Sequence, residues 1–223
     1  ELKLRPYQMN VKHLAHEAIR AGARRPLVVS PTGSGKRIMA VDWCMTVVRQ
    51  QKECLFVTDR RLLIEQMSRE LVNFGVDHGI IMDGYPEQRQ PRIQLASIQS
   101  IEARYLKRDP QLLPPADVVI VDEAHKSIQQ YVTLIEHYPS AYAFLLTATP
   151  VGPAGRTLIQ PGYADALTEG VCNSELIRSC YLLPTRVYAP SEPNIEGIKT
   201  GHLQPPVMVD VDPVDGEIGR AHV

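Results

Sequence analysis

A short apolar run followed directly by a glycine-bearing turn and a helical pattern is the feature that most constrains the fold of this chain. Residues 27–29 are uninterruptedly apolar, as in a parallel strand that is buried on both faces. Residues 31–35 form a flexible turn, and Lys36 begins a segment with helical periodicity. A strand, a loop and a helix N-terminus in this order form an anion site, because backbone N–H groups and the helix dipole point at one spot.

The turn contains the residue types that a phosphate site requires. Gly33 and Gly35 allow the backbone to wrap closely around phosphate oxygens, and Lys36 can reach the terminal phosphates. The strict phosphate-loop pattern has Gly at its first position and Ser or Thr after the lysine, where this chain has Ser30 and Arg37. The turn therefore predicts a nucleoside triphosphate site, with an ordinary glycine-rich turn as the alternative. The predicted contacts come from Pro31, Thr32, Gly33, Ser34, Gly35, Lys36 and Arg37.

Further apolar runs alternate with helical patterns along the chain. The predicted strands are residues 27–29, 54–58, 78–82, 93–96, 118–121 and 143–146, and the predicted helices after the turn are residues 36–50, 60–74, 97–106 and 127–138. Alternation at this spacing indicates right-handed βαβ units, that is, an α/β fold with a central, mostly parallel sheet flanked by helices. Ligands of such sheets bind beyond the carboxyl ends of the strands, where this chain places polar clusters.

Two carboxylates follow the predicted strand 118–121 directly. Asp122, at the end of a buried strand beside the phosphate loop, could hold Mg²⁺. Glu123 could orient and deprotonate the water that attacks the γ-phosphate. The alternative is a pair of solvated acids at the start of a helix, which the helix dipole also favours. The upstream Lys36 loop favours the catalytic interpretation.

Together these motifs resemble the first RecA-like domain of a superfamily-two helicase or translocase of DEAH type, and within it the RadD/XPB-like group of bacteria and phages. The resemblance covers residues 4–190. Residues 31–36 correspond to its motif I, residues 122–125 to motif II and residues 147–149 to motif III. It implies a RecA-like P-loop fold with ATP and Mg²⁺ as cofactors. The catalytic residues that it implies are Lys36, Asp122, Glu123 and His125, with Asp122 as the metal ligand.

The resemblance also implies roles for residues outside the two central motifs. In the leading motif, residues 4–8, Arg5 and Gln8 would contact the adenine. Motif III would couple the ATP site to nucleic acid. The nucleic-acid and coupling residues that it implies are Thr58, Arg60, Ser97, Gln99, Thr147 and Thr149.

The residues themselves leave structural alternatives for several of these roles. Thr58 or Asp59 could cap a helix, and Ser97 could likewise be an N-cap. Thr147 could satisfy backbone groups before Pro150. Both the helix-capping and the ligand-binding interpretations stay open at this point.

Arg37 departs from the pattern of the family, which has a Thr or Ser whose hydroxyl ligates Mg²⁺. A guanidinium has no lone pair for a metal. Either Asp122 and the phosphates hold the metal with extra water, or Arg37 turns away along the helix, or the ATPase is weakened. Three interpretations follow: a helicase or translocase motor, the motor subunit of a restriction enzyme, or a catalytically weakened, ATP-gated nucleic-acid-binding module. A small-molecule P-loop kinase would leave the Gln8 and Thr147 motifs without a role.

The domain organisation is predicted from the same resemblance and from composition. Residues 1–182 form the RecA-like ATP-binding domain, and the Pro-rich residues 183–216 form a linker or a truncated entry to a second RecA-like domain, which is missing here. Residues 217–223 can be back-translated into a widely used sequencing-adapter sequence, and we interpret them as an artefact, with a natural polar tail as the alternative. Without its second domain, the fragment is expected to bind nucleotide weakly and to unwind nothing.

Composition limits the partners and the compartment. The formal net charge of −1 means that nucleic-acid binding needs a local basic face. Four cysteines without C-x-x-C spacing are typical of reduced thiols in a cytoplasmic protein. No apolar run approaches the ~20 residues of a membrane span. We expect a cytoplasmic protein with a nucleic-acid partner, DNA more than RNA, and no membrane association.

Overall fold

The computed structural model describes residues 2–152 and 155–184, together with the backbone of residues 210–211 and 218–219. The chain divides into two units, Glu1–Cys172 and Asn173–Val223. The helices of the first unit are α1 (Pro6–Arg20), α2 (Lys36–Arg49), α3 (Arg61–Asn73), α4 (Ile98–Ile101) and α5 (Ile128–Glu136). Its strands are β1 (Pro26–Val29), β2 (Cys54–Thr58), β3 (Gly79–Ile81), β4 (Ile93–Ser97), β5 (Val118–Val121), β6 (Tyr142–Thr147) and β7 (Ala166–Glu169).

The strands of the first unit form one parallel sheet in the order β3-β4-β2-β5-β6-β1-β7. This confirms the predicted α/β fold with a central parallel sheet. Since β5 and β6 lie between β2 and β1, the polar residues at the carboxyl ends of five neighbouring strands form one row. In spatial order they are Ser97, Thr58, Asp122, Thr147 and Ser30.

Both faces of the sheet are covered, which explains why the strands are apolar without interruption. Consecutive strand residues point to opposite faces, so that each central strand contributes to two hydrophobic clusters. Val28, Phe56 and Ile120 pack with residues of α1, α2 and α3 in one cluster. Their neighbours Leu27, Leu55 and Val119 pack with residues of α4 and α5 in the other. The sheet is therefore a rigid, doubly covered support for the side chains at its carboxyl edge.

The structure differs from the sequence prediction at one helix and at one edge strand. The predicted helix 97–106 is α4 followed by a π-helical turn, Glu102–Leu106, in which the Lys107 N–H donates to the Glu102 carbonyl at 3.0 Å. Strand β7 was not predicted; it pairs with β1 at the edge of the sheet. A short 3₁₀ turn, Pro110–Leu112, precedes β5.

The second unit contains helix α6 (Asn173–Arg178) and two antiparallel strands, β8 (Asp210–Val211) and β9 (Ile218–Gly219). The predicted linker 183–216 and the predicted adapter-derived tail 217–223 otherwise lie outside the described residues, apart from residues 183–184. In the described part of the chain, no helix combines the length and the apolar character needed to cross a membrane.

Candidate nucleotide-binding site

The loop between β1 and α2 has the conformation of an anion cradle. Gly33 and Gly35 adopt left-handed backbone angles, with φ of 81° and 83°, which a residue with a β-carbon rarely adopts. Ser34 is buried, and its hydroxyl donates to the Pro31 carbonyl at 2.6 Å. Thr32 and Gly33 are exposed at the tip of the loop. The loop is thus held from inside while its tip and backbone stay open to a ligand.

Lys36 lies across this loop. Its ammonium donates to the Ser30 carbonyl at 2.9 Å and to the Pro31 carbonyl at 3.1 Å. Burial lowers the pKa of Lys36, whereas the charges of Asp122 and Glu123 act in the opposite direction. An ammonium has three donors, so that one remains for a phosphate oxygen while both carbonyl contacts persist.

Helix α1 contacts the loop at one carbonyl group. The Tyr7 hydroxyl donates to the Ser34 carbonyl at 2.8 Å, and the Gln8 side-chain amide donates to the same oxygen at 2.9 Å. The Gln8 side chain also accepts from the Arg5 backbone N–H at 2.9 Å. A β-carbon at Gly35 would lie 2.4 Å from the Gln8 amide nitrogen. The Gln8 side chain therefore occupies the space that a β-carbon at residue 35 would need. Tyr7, which no sequence motif singles out, takes part in holding the loop.

A cavity of about 360 Å³ opens beside the loop, with Arg5 and Gln8 in its lining. Gly33 forms its loop side, and Ile38 and Phe74 supply apolar walls. Ligand pockets typically combine apolar walls with a few polar groups that fix orientation. The structure thus brings Arg5 and Gln8 to the same cavity as the loop, as their predicted role as adenine contacts requires.

Asp122 is a buried carboxylate whose pKa is raised. It is 7% exposed, and burial, followed by the charge of Glu123, raises its pKa to about 6. The Glu123 N–H donates to Asp122 Oδ1 at 3.0 Å, and the charges of Lys36 and Arg37 lower the pKa in part. Asp122 follows β5 and the Lys36 loop follows β1, so that the carboxylates and the loop lysine lie at the same carboxyl edge of the parallel sheet.

Motif II and motif III are joined through Thr147. The fully buried Thr147 hydroxyl donates to the Thr149 carbonyl at 2.8 Å and accepts from the Thr149 N–H at 3.0 Å. His125 Nδ1 lies 3.0 Å from the same hydroxyl and 3.5 Å from Glu123 Oε2. Since the single hydroxyl proton is used at Thr149, His125 Nδ1 is the donor in this pair. The Thr147 carbonyl also accepts from the Ser30 N–H at 2.9 Å, which connects motif III to the phosphate loop.

The residues predicted to face nucleic acid separate into two groups. Arg60 and Gln99 are exposed, and the Gln99 amide donates to the Asp59 carbonyl at 3.3 Å. Ser97 instead caps α4, because its hydroxyl accepts from the Ser100 N–H at 3.1 Å. Thr58 is buried, and its hydroxyl has no hydrogen-bond partner among the described residues. Neither Thr58 nor Asp59 caps α3, which begins after Arg60 without a side-chain cap.

Arg37 is directed away from the loop, toward helix α3. Its guanidinium donates to the Gln66 side chain and lies 3.6 Å from Glu70 Oε1. Its Nε is buried without a hydrogen-bond partner in the part of the chain described here. Of the three options for Arg37, the side chain that turns away along the helix is the one observed.

Comparison with known proteins places the chain among restriction and helicase motors. It is 27% identical over 209 residues to the type I restriction enzyme EcoKI endonuclease subunit of Escherichia coli strain K12, a match that covers 79% of this chain and 18% of that protein. The chain is thus far shorter than this relative. A nuclease-deletion mutant of the type ISP restriction-modification enzyme LlaGI, in complex with a DNA substrate mimic, is similar with a TM-score of 0.62 and 16% identity, over 80% of this chain and 21% of that chain. The UvsW helicase from bacteriophage T4 is similar with a TM-score of 0.60 and 16% identity, over 74% of this chain and 59% of that chain.

At these identities the solved structures show the fold, which is the RecA-like α/β fold of helicase domains. Residues 1–152 match the family described as type III restriction enzyme, res subunit. This match spans more than half of the chain and includes both the Lys36 loop and the Asp122 strand end. The chain therefore belongs to the family of the type III restriction enzyme res subunit, as a first RecA-like domain of the superfamily-two helicase type.

Proposed function

We propose that this chain is the DEAH-type ATP-binding domain of a motor that hydrolyses ATP with Mg²⁺ to unwind or to move along nucleic acid. The observation that carries the proposal is the position of the Lys36 loop, which follows β1, and of Asp122 and Glu123, which follow β5, at the same carboxyl edge of one parallel sheet. The charges of both carboxylates act to raise the pKa of Lys36 against its burial. Family membership supports the same conclusion. An ordinary glycine-rich turn has no reason to face a buried carboxylate and a second, partly exposed one.

The residues at the site suit ATP and Mg²⁺. Protein-bound Mg²⁺ usually takes one or two carboxylates together with substrate phosphates, and when bound it would neutralise charge on the phosphates and activate them toward attack. Asp122 offers one such carboxylate, and a bound cation would offset the burial that raises the pKa of Asp122. Among the described residues no group of three or more His, Cys, Asp or Glu could hold a metal without phosphates.

Each of the remaining residues has a defined task in this proposal. Lys36 would hold the terminal phosphate, since one of its donors is free of carbonyl contacts. Glu123 would orient the attacking water. His125 lies 3.5 Å from Glu123 and 3.0 Å from Thr147, and it would couple the state of Glu123 to motif III. Gln8 would join the adenine side to the loop, because it contacts the Ser34 carbonyl.

Nucleic acid would lie against the end of the sheet that bears Arg60 and Gln99. Both side chains are exposed, and they follow the neighbouring strands β2 and β4. An arginine and an amide at strand ends are suited to phosphate oxygens, which carry most of the affinity for nucleic acids. DNA is the favoured partner, since the LlaGI relative is complexed with a DNA substrate mimic.

A second candidate function is the motor subunit of a restriction enzyme. The family match and the likeness to the EcoKI endonuclease subunit favour it. Both functions use the same ATP site, so that they differ in what the full-length protein does to DNA: separation of strands in one case and cleavage in the other.

The test is the ATPase of the full-length protein with and without nucleic acid. Phosphate release is measured without nucleic acid and with single-stranded DNA, duplex DNA or RNA of the same sequence. We expect slow hydrolysis that DNA stimulates several-fold more than RNA does. A rate that is the same in all four conditions would contradict a nucleic-acid motor and favour the catalytically weakened module. Strand-displacement and cleavage assays on the same DNA then separate helicase from restriction motor.

Replacing Arg37 with threonine is expected to raise the ATPase rate of the full-length protein about tenfold. The hydroxyl would supply the Mg²⁺ ligand that phosphate loops normally have after the lysine. The lost guanidinium contacts Gln66 and Glu70 on α3. Arg37→Ala is the matched control, because it removes the same contacts without adding a hydroxyl. Equal rates for the two variants would mean that the missing hydroxyl does not limit hydrolysis, and two variants no faster than the wild type would mean that Arg37 does not limit it either.

A further inference from the structure

Two buried tyrosine hydroxyls donate to the backbone of motif II. The Tyr163 hydroxyl donates to the Ala124 carbonyl at 2.5 Å, and the Tyr131 hydroxyl donates to the Asp122 carbonyl at 3.5 Å. Both tyrosines are completely buried.

The residue between these two carbonyls has an unfavourable backbone conformation. Glu123 has a φ of 56°, in the left-handed region that costs a residue with a β-carbon roughly 1–2 kcal/mol. Its neighbours are fixed on the N–H side as well: the Asp122 N–H donates to the Val57 carbonyl and the Ala124 N–H to the Leu146 carbonyl, both at 2.9 Å. The strained residue is therefore held by hydrogen bonds on both sides, two from the sheet and two from the tyrosines.

Tyr163 reaches motif II from the segment that follows motif III. Its backbone N–H donates to the Gln160 carbonyl at 3.1 Å, and the Gln160 N–H donates to the Ala164 carbonyl at 3.1 Å. Leu158 of the same segment is fully buried. These contacts hold the backbone that carries Tyr163 and so fix the position of its hydroxyl.

We propose that Tyr163 is a positioning residue of the ATP site, which holds the backbone of residues 122–124 so that Asp122 and Glu123 keep their orientation toward the phosphate loop. This inference rests on the proposed function, since it concerns the same carboxylates. Tyr131 supports the same backbone through its longer, weaker contact. Removing the Tyr163 hydroxyl would leave the Ala124 carbonyl buried and unpaired and would free the strained backbone at Glu123 to relax.

The test compares Tyr163→Phe with Tyr138→Phe in the full-length protein. Tyr138 is a matched control, because its hydroxyl donates to the Pro114 carbonyl at 2.6 Å. Pro114 precedes β5, whereas Asp122 follows it. Both substitutions remove one tyrosine hydroxyl that is bonded to a backbone carbonyl. The measurements are kcat and KM of the ATPase, and the gain in affinity for ADP when Mg²⁺ is added, which needs no turnover.

We expect Tyr163→Phe to lower kcat about tenfold, with a change in KM for ATP below roughly twofold, because the loop and the adenine cavity are unaltered. The gain in ADP affinity from Mg²⁺ should fall as well, and Tyr138→Phe should change neither quantity. If Tyr163→Phe does not fold, Tyr131→Phe should show a smaller change in the same direction.

Two results would overturn the inference in distinguishable ways. In the first, the wild-type protein is active, and Tyr163→Phe and Tyr138→Phe have the same kcat and the same Mg²⁺-dependent ADP binding. This result would reject the positioning role of Tyr163 and leave the proposed function unaffected. A wild-type protein that neither binds ADP nor hydrolyses ATP rejects both.

Discussion

Replacing Lys36 with alanine is expected to lower the ATPase rate of the full-length protein by at least roughly 100-fold. Lys36 is the cation that lies across the loop, and its ammonium is held by the Ser30 and Pro31 carbonyls in the position where a terminal phosphate would be. Charge stabilisation of this kind strengthens as the local dielectric constant falls, and Lys36 is partly buried. Phosphate release with saturating DNA measures the effect.

Lys52→Ala is the control for this substitution. Lys52 lies 3.1 Å from Asp117, which precedes β5, and its side chain is 57% exposed. Its removal should leave the ATPase rate within about twofold of the wild type, since exposed ion pairs contribute little. Full activity in Lys36→Ala would show that the loop is a structural turn and would remove the basis of the nucleotide site.

The fold could be predicted from local pattern because doubly covered strands are apolar on both faces. Residues 54–58 and 118–121 are predicted with the bounds that β2 and β5 have. Strand β7 lacks this signal, since its Leu167 is 49% exposed whereas its Thr168 is only 4% exposed. An edge strand with an exposed leucine and a buried threonine cannot be recognised from its hydrophobicity pattern.

The site could be predicted only where its residues are close together in the sequence. Lys36 and Asp122 belong to compact motifs, each of which follows its own strand. Tyr7, Tyr163 and the direction of Arg37 depend instead on contacts with residues 27, 39 and 29 positions away, respectively. A tyrosine that donates to a distant backbone carbonyl has the same sequence pattern as a tyrosine in a hydrophobic core. Its role becomes visible only when the partner carbonyl is located.

Replacing Asp122 with asparagine is expected to stabilise the fold of this chain and to abolish hydrolysis at the same time. Burial, followed by the charge of Glu123, raises the pKa of Asp122 from 3.8 to about 6. The folded state therefore binds a proton more tightly than the unfolded state does, and the free energy of unfolding falls as the pH rises from about 4 to about 6. Asparagine carries no charge, so that the free energy of unfolding at pH 7.5 should rise by up to about 3 kcal/mol without Mg²⁺ or nucleotide.

Asp117→Asn, at the other end of the same strand, should have the opposite effect on stability. The Glu53 N–H and Lys52 lower the pKa of Asp117, so its ionised form stabilises the folded state above the unfolded pKa, and this contribution is lost in the amide. Urea unfolding at pH 7.5 should therefore give a higher midpoint for Asp122→Asn and a lower one for Asp117→Asn.

In the full-length protein, Asp122→Asn should lower the ATPase rate by at least roughly 100-fold, whereas Asp117→Asn should leave it nearly unchanged. A buried carboxylate that binds a metal is expected to destabilise the fold when the metal is absent and yet to be needed for hydrolysis. A destabilised Asp122→Asn variant, or one that retains its ATPase, would mean that this carboxylate is a structural acid and that the metal is bound elsewhere.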